Sequence, residues 1–224
     1  DEMALEDLEI ASPAGCGKLE ERKVRVKAGE HVLVLGEPGA GKTLLFRALA
    51  GLWPWGAGRI GRPKGASVFF MPRQPYLPLG TLREILAYPP SVETFESHAF
   101  TDALERVRLP RLAPMLDRAS RWDLELNWDE QQNLMLARLL IHRPRWLVLD
   151  EVLDGFDGET RARALEIFSK DLKDAAIIHI GRGKAPDPSF THIIRLVKDP
   201  KIRRLVRQKT DEMTGMPTGT QVTA

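Results

Sequence analysis

Residues 36–43 read Gly-Glu-Pro-Gly-Ala-Gly-Lys-Thr, directly after the apolar run His31-Val-Leu-Val-Leu35. A glycine, four intervening residues and then Gly41-Lys42-Thr43 is the spacing of a phosphate-binding loop between a buried strand and a helix. The glycines let the backbone turn tightly, so that successive N–H groups point inward at phosphate oxygens. A helix expected from about Lys42 to Leu52 adds the positive end of its dipole to the same anion. Gly36, Glu37, Pro38, Gly39, Ala40, Gly41, Lys42 and Thr43 are therefore the expected nucleotide contacts. Lys42 would reach the β- and γ-phosphates and Thr43 would hold Mg²⁺, while Pro38 removes one N–H donor from the cradle. The competing reading, a glycine-rich turn that merely ends a strand, accounts for neither the strand before, the helix after, nor the Lys-Thr pair.

The remaining bounds are broad. A chain of 224 residues holds one sizeable α/β domain or a core with an inserted subdomain. A formal net charge of +2 does not select a polyanionic partner. One cysteine, Cys16, excludes an internal disulfide. No run approaches the ~20 apolar residues that cross a bilayer, and no signal peptide is visible. The start at Asp1 rather than Met reads as a piece of a longer polypeptide.

Residues 5–10 and 22–27 alternate as half-buried strands do, with Ala14-Gly15-Cys16-Gly17 expected as the turn between them. The strand at 31–35 enters the loop. Ser67–Met71 reads as a buried strand, followed by a Pro-rich break. Residues 81–142 look mainly helical and form an insertion. Trp146-Leu-Val-Leu-Asp150 is another buried strand, followed by a helix at about 158–173 and strands at 175–180 and 192–197. Strands alternating with helices imply a largely parallel sheet covered on both faces. The expected division is a core of 1–80 and 143–207, a helical subdomain of 81–142, and a polar tail of 208–224.

Asp150 and Glu151 follow four apolar residues. A carboxylate at the carboxyl end of a central strand belongs beside the phosphate loop of a neighbouring strand. Asp150 is expected to hold Mg²⁺ through its water shell, and Glu151 to polarise an attacking water. Gln74, after the strand at 67–71, is a candidate third group at Mg²⁺ with Thr43 and Asp150.

Together these pieces resemble the nucleotide-binding domain of an ATP-binding-cassette (ABC) transporter over about residues 5–200. Arg47–Pro54, Gly58-Arg-Ile60 and Met71–Arg83 look like subfamily D, which includes peroxisomal fatty-acyl importers and related bacterial transporters. Glu130-Gln-Gln and His142–Glu151 strengthen the match. The resemblance implies a P-loop NTPase (RecA-like) α/β core with a mainly parallel sheet, an N-terminal antiparallel portion and the helical insertion. It implies ATP and Mg²⁺ as cofactors, Gln74 as the Q-loop glutamine, Glu151 as the catalytic carboxylate and Asp157 as the D-loop aspartate. It also implies a second such domain clamping two ATP molecules, a transmembrane domain fused upstream, and a place at the cytoplasmic face of a membrane. Nucleic acid is not an expected partner.

Three positions depart from the family. The signature, normally Leu-Ser-Gly-Gly-Glu, aligns with Leu126-Asn-Trp-Asp-Glu130. There Asn127 keeps an amide donor, but Asp129 places a carboxylate where the family approaches a partner's γ-phosphate. At ~4 Å and an effective dielectric of ~20, one like-charge pair costs ~4 kcal/mol. Asp129 also reads as an N-cap for a helix starting at Glu130. Arg182 occupies the switch-histidine position; it can touch a phosphate but cannot shuttle a proton, and His179 reads as a strand residue. No aromatic residue occurs in 1–45 to support adenine. The expectation is ATP binding with slow hydrolysis that powers a transporter. The alternatives are a non-catalytic nucleotide-gated module and a soluble P-loop ATPase of DNA repair or translation, the latter disfavoured by the short insertion and the subfamily D segments.

Overall fold

A computed structural model describes residues 2–13, 15–63, 65, 67–182 and 190–199; the expected tail at 208–224 lies outside them. In chain order the elements are β1 (Glu2–Ser12), β2 (Gly15–Leu19), β3 (Lys23–Lys27), β4 (His31–Gly36), α1 (Lys42–Leu49), β5 (Gly56–Gly61), β6 (Val68–Met71) and β7 (Gly80–Thr81). There follow α2 (Leu82–Ala87), α3 (Ser97–Arg106), β8 (Ala119–Ser120), α4 (Trp122–Glu125), α5 (Trp128–His142) and β9 (Trp146–Asp150). The series closes with α6 (Val152–Gly155), α7 (Gly158–Lys170), β10 (Ala176–Ile180) and β11 (His192–Asp199). Two compact units result. The first comprises the described residues of Asp1–Ala66, Val148–Asp150 and Ala176–Ala224, the second those of Ser67–Leu147 and Glu151–Ala175.

The first unit is a sheet in the order β3-β1-β2-β11-β4-β10, continued by the last three residues of β9, with β5 also paired to β1. Its centre is parallel, β4 pairing with β10 and β11. Its N-terminal part is antiparallel, β1 pairing with β2, β3 and β5, and β2 with β11. Val32–Val34, an uninterrupted apolar run, and all of β10, apolar but for His179, are buried, as strands inside a covered parallel sheet are. β3 alternates exposed and buried positions, the mark of a strand with one wet face.

One local expectation is corrected in this unit. Gly15–Gly17 is strand rather than turn, and the chain reverses between the paired residues Ser12 and Gly15. Small residues there serve close approach instead: a Cβ on Gly17 would lie 2.0 Å from the Ala40 carbonyl oxygen. Trp53 is held against β1 of the same unit. Its Nε1–H donates to the Ala11 carbonyl (3.0 Å), and its ring meets Trp55 edge-on at 4.6 Å.

The second unit is mainly helical. Thr81 and Glu84 form a capping box at the start of α2. α2, with Leu82, Ile85 and Leu86 buried, and α3, with Phe100 and Leu104 buried, both pack on α5. Trp122 is core, at 2% exposure, whereas Trp128 is exposed. Arg138 is buried on α5. It donates to the carbonyls of Tyr76 (3.2 Å) and Tyr88 (2.8 Å), and desolvation lowers its pKa to about 10. It therefore stays charged at neutral pH while tying α5 to two loop segments. Among the described residues no helix is long and apolar enough to cross a membrane.

Candidate nucleotide-binding site

The first unit presents the phosphate loop. β4 delivers it at Gly36, locked on one side by the Gly181 N–H donating to Val34 (2.9 Å) and on the other by β11, where Leu196 pairs with Gly36. The loop then turns on itself, the Ala40 N–H donating to Glu37 (3.0 Å). Gly39 (φ 78°) and Gly41 (φ 93°) adopt the left-handed conformation that any side chain would strain. Glu37, Pro38 and Gly39 are exposed, Gly36 and Gly41 are half-buried, and Ala40 is buried against β2.

Gly41 is the N-cap of α1, and it has no side chain to occupy the first-turn N–H groups. That turn also carries no acidic residue. A helix end with no side-chain cap and no acid in its first turn suits an anion. The Lys42 ammonium lies 3.1 Å from the Gly36 carbonyl oxygen, folded over the loop that a polyphosphate would fill. Thr43 is exposed at the second helical position.

Asp150 ends β9 and is 5% exposed. Sequence reasoning set this strand next to the one entering the loop; the structure instead interposes β10 between β4 and β9. A Mg²⁺ ion prefers oxygen ligands and keeps several waters. The oxygen donors Thr43 and Asp150, both in the first unit, suit that chemistry. No cluster of three or more His, Cys, Asp or Glu occurs among the described residues. Arg182 lies two residues past β10 and is exposed. His179 is buried in β10, stacked on Phe190 at 5.7 Å, and so is a strand histidine.

The second unit carries Gln74, Glu151, Asn127 and Asp129. Glu151 has φ 53°, a strained value for a side chain with a Cβ, and its carboxylate lies 3.6 Å from the guanidinium of Arg73. Arg73 was not singled out from sequence, because nothing local marks a pair 78 positions apart in the chain. Its backbone is fixed in turn by Gln132, whose side-chain amide donates to the Arg73 carbonyl (3.2 Å). Gln74, next in the chain, is exposed.

The helix α5 begins at Trp128, two residues earlier than expected, and its cap is Asn127 rather than Asp129. Asn127 Oδ1 accepts from the Glu130 N–H (2.9 Å), and Glu130 accepts from the Asn127 N–H (3.0 Å). An amide oxygen at N-cap with a glutamate three residues on closes the box better than an aspartate already inside the turn. Glu130 is also paired with Arg111, which with the Asn127 N–H holds its carboxyl below the usual range against burial. Asp129 is exposed and forms no ion pair among the described residues. Asp157 caps α7, accepting from the Thr160 N–H (2.7 Å), and those hydrogen bonds lower its pKa.

The comparisons with known proteins agree with this geometry. The family model described as ABC transporter matches residues 19–154. An uncharacterized ABC transporter ATP-binding protein of Synechocystis sp. is 38% identical over 188 residues, spanning 82% of this chain and 28% of that protein. ABC transporter D family member 1 of Dictyostelium discoideum is 34% identical over 211 residues, 89% of this chain and 28% of that one. The chain thus spans less than a third of the length of these relatives. A solved structure described as a putative ABC transporter (ATP-binding protein) from Pyrococcus furiosus superposes with a TM-score of 0.66 at 20% identity, covering 87% of this chain and 97% of its own. With a phosphate loop on a mixed sheet, a helical unit, and relatives in the D group, the chain belongs to the ABC transporter family as a D-like nucleotide-binding domain.

Proposed function

We propose that this domain binds Mg·ATP and hydrolyses it slowly, and that binding drives pairing with a second nucleotide-binding domain to power a transmembrane transporter. The observation that carries the proposal is the uncapped, acid-free N-terminus of α1 behind two left-handed glycines, with Lys42 folded over the loop. Thr43 and Asp150 supply the oxygen donors for Mg²⁺, and Mg²⁺ supplies charge neutralisation to the phosphates. Glu151, the residue after Asp150, polarises the attacking water, with Arg73 as its counter-ion in the nucleotide-free state. Arg182 offers a fixed cation where a proton-carrying histidine serves other members of the family. The relatives' names support the transport role; the transmembrane partner and the place at the cytoplasmic face of a membrane are part of the proposal.

Slow turnover is supported by the first turn of α5. Asp129, a carboxylate where the family has a glycine, occupies the first turn of a helix end that would otherwise attract phosphate. The same observation favours the second reading, a nucleotide-gated module in which ATP holds an interface without turnover.

Nucleotide affinity and steady-state phosphate release, measured side by side, separate these. Lys42→Ala is expected to abolish ATP binding. Glu151→Gln is expected to keep affinity and lose the residual phosphate release by at least about a hundredfold. Wild-type release equal to that of Glu151→Gln would establish the non-catalytic module. ATP binding untouched by Lys42→Ala would overturn both readings.

A further inference from the structure

Along β11, Ile194 and Leu196 are buried, and Lys198 follows on the same face, exposed at the strand's end. The register sets Leu196 against Gly36 on β4 and Lys198 against Gly17 on β2. Just where β4 gives way to the phosphate loop, Lys198 reaches that loop. A Cβ built on Gly39 would lie 3.1 Å from Lys198 Nζ and 3.2 Å from its Cε. Gly17, the strand partner of Lys198, meets the next loop residue, Ala40. The β2–β11 pair therefore backs the loop at two successive residues, and one of the two contacts carries a positive charge.

Among the described residues that charge is uncommitted. The neighbouring Asp199 is taken by Lys18 at 2.7 Å, and Lys198 forms no ion pair among the described residues. An ammonium on a flexible stem is a point-charge binder for phosphate, needing no fixed geometry. It comes from outside the loop motif, and its position depends on the pairing of a strand more than 150 residues further along the chain.

We propose that Lys198 is a second cation of the nucleotide site, which binds the polyphosphate together with Lys42 and biases the loop toward nucleotides with more phosphate charge. The inference rests on reading Gly36–Thr43 as a nucleotide loop. Because the ammonium is exposed, its attraction scales with ligand charge and is screened by salt.

The test titrates the full chain with ATP, ADP and AMP, each with Mg²⁺, at low salt and at ~0.15 M salt. Wild type, Lys198→Ala, Lys198→Arg and Lys42→Ala are compared, with thermal unfolding measured for each. Lys198→Ala is expected to weaken ATP about tenfold at low salt, ADP less, and AMP by less than about twofold, with unchanged unfolding. Lys198→Arg is expected to stay within about twofold of wild type for ATP. Equal ATP affinity of Lys198→Ala and wild type, with Lys42→Ala dead, overturns the role of Lys198 and leaves the loop reading standing. An equal loss for all three nucleotides also overturns it, since it would mean a distorted loop rather than a lost charge. No binding by wild type removes the loop reading and this inference together.

Discussion

Gly17, Gly39 and Gly41 serve one loop for different reasons. Gly39 and Gly41 supply left-handed backbone, and their need was legible in the sequence because the motif itself encodes the turn. Gly17 has ordinary backbone, and its need was not legible. It arises because β2 pairs with β11 and so passes under Ala40, a contact between residues 23 positions apart. Gly17→Ala would put a methyl carbon 2.0 Å from a backbone oxygen, so the loop or the strand must move. The expected outcome is a loss of ATP affinity of at least about tenfold together with about 1–3 kcal/mol of stability. Gly29→Ala is the control. That glycine also has positive φ (81°), but open space surrounds it, so about 1 kcal/mol of stability should go with no change in affinity. Equal ATP affinity for Gly17→Ala and wild type by titration would show that β2 does not shape the loop. At the same scale, the Arg73–Glu151 pair and Lys198 escaped the sequence because each is made by chain pairing rather than by local spacing.

Among the elements, β1, β3, β4, β6, β9, β10, β11 and most helices could be read from periodicity; β2, expected as a turn, β5, β7, β8 and the helix termini could not. α5 was expected to start at Glu130 with Asp129 as cap; a competing cap two residues earlier wins because Asn127 and Glu130 satisfy each other. The other end of α5 carries a titrating group. His142 Nε2 lies 3.0 Å from the Leu86 carbonyl, between the rings of Phe69 (5.5 Å) and Phe95 (4.9 Å). Burial pushes its pKa below the ordinary 6.5, and the nearby Arg138 cation pushes the same way, against the carbonyls of Leu86 and Ala87. The folded chain thus binds fewer protons than the unfolded chain once the pH drops under 6.5. Stability is full above that value and falls as the pH descends toward the depressed folded value. Urea unfolding at pH 7.5 and 5.5 should show lower stability at 5.5, and His142→Gln should narrow the difference. A pH dependence identical in His142→Gln and wild type would assign it to other groups.

On the scale of the whole molecule, the fold class was readable because motif, strand and insertion recur in one fixed order along the chain. The strand order was not, since nothing in the sequence says that β10 lies between β4 and β9. Each compact unit holds a different part of the proposed chemistry: the first residues 36–43 and Asp150, the second Glu151, Asn127 and Asp129. Rate should therefore be separable from affinity. Asp129 is an exposed carboxylate at the start of α5 with no ion pair among the described residues, whereas Glu130 beside it is paired with Arg111. If two copies pair around ATP as in the family, Asp129 alone adds an uncompensated negative charge near the partner's γ-phosphate. At ~4 Å and an effective dielectric of ~20 that repulsion is ~4 kcal/mol, an upper bound for an exposed group. Asp129→Gly is then expected to raise phosphate release per chain at least about tenfold at high protein concentration. At low concentration, where single chains prevail, ATP affinity should be unchanged, because Lys42 and the α1 N-terminus are untouched. A release rate that is the same in Asp129→Gly and wild type at every protein concentration would place the slow step elsewhere, with Arg182→His as the next substitution to measure.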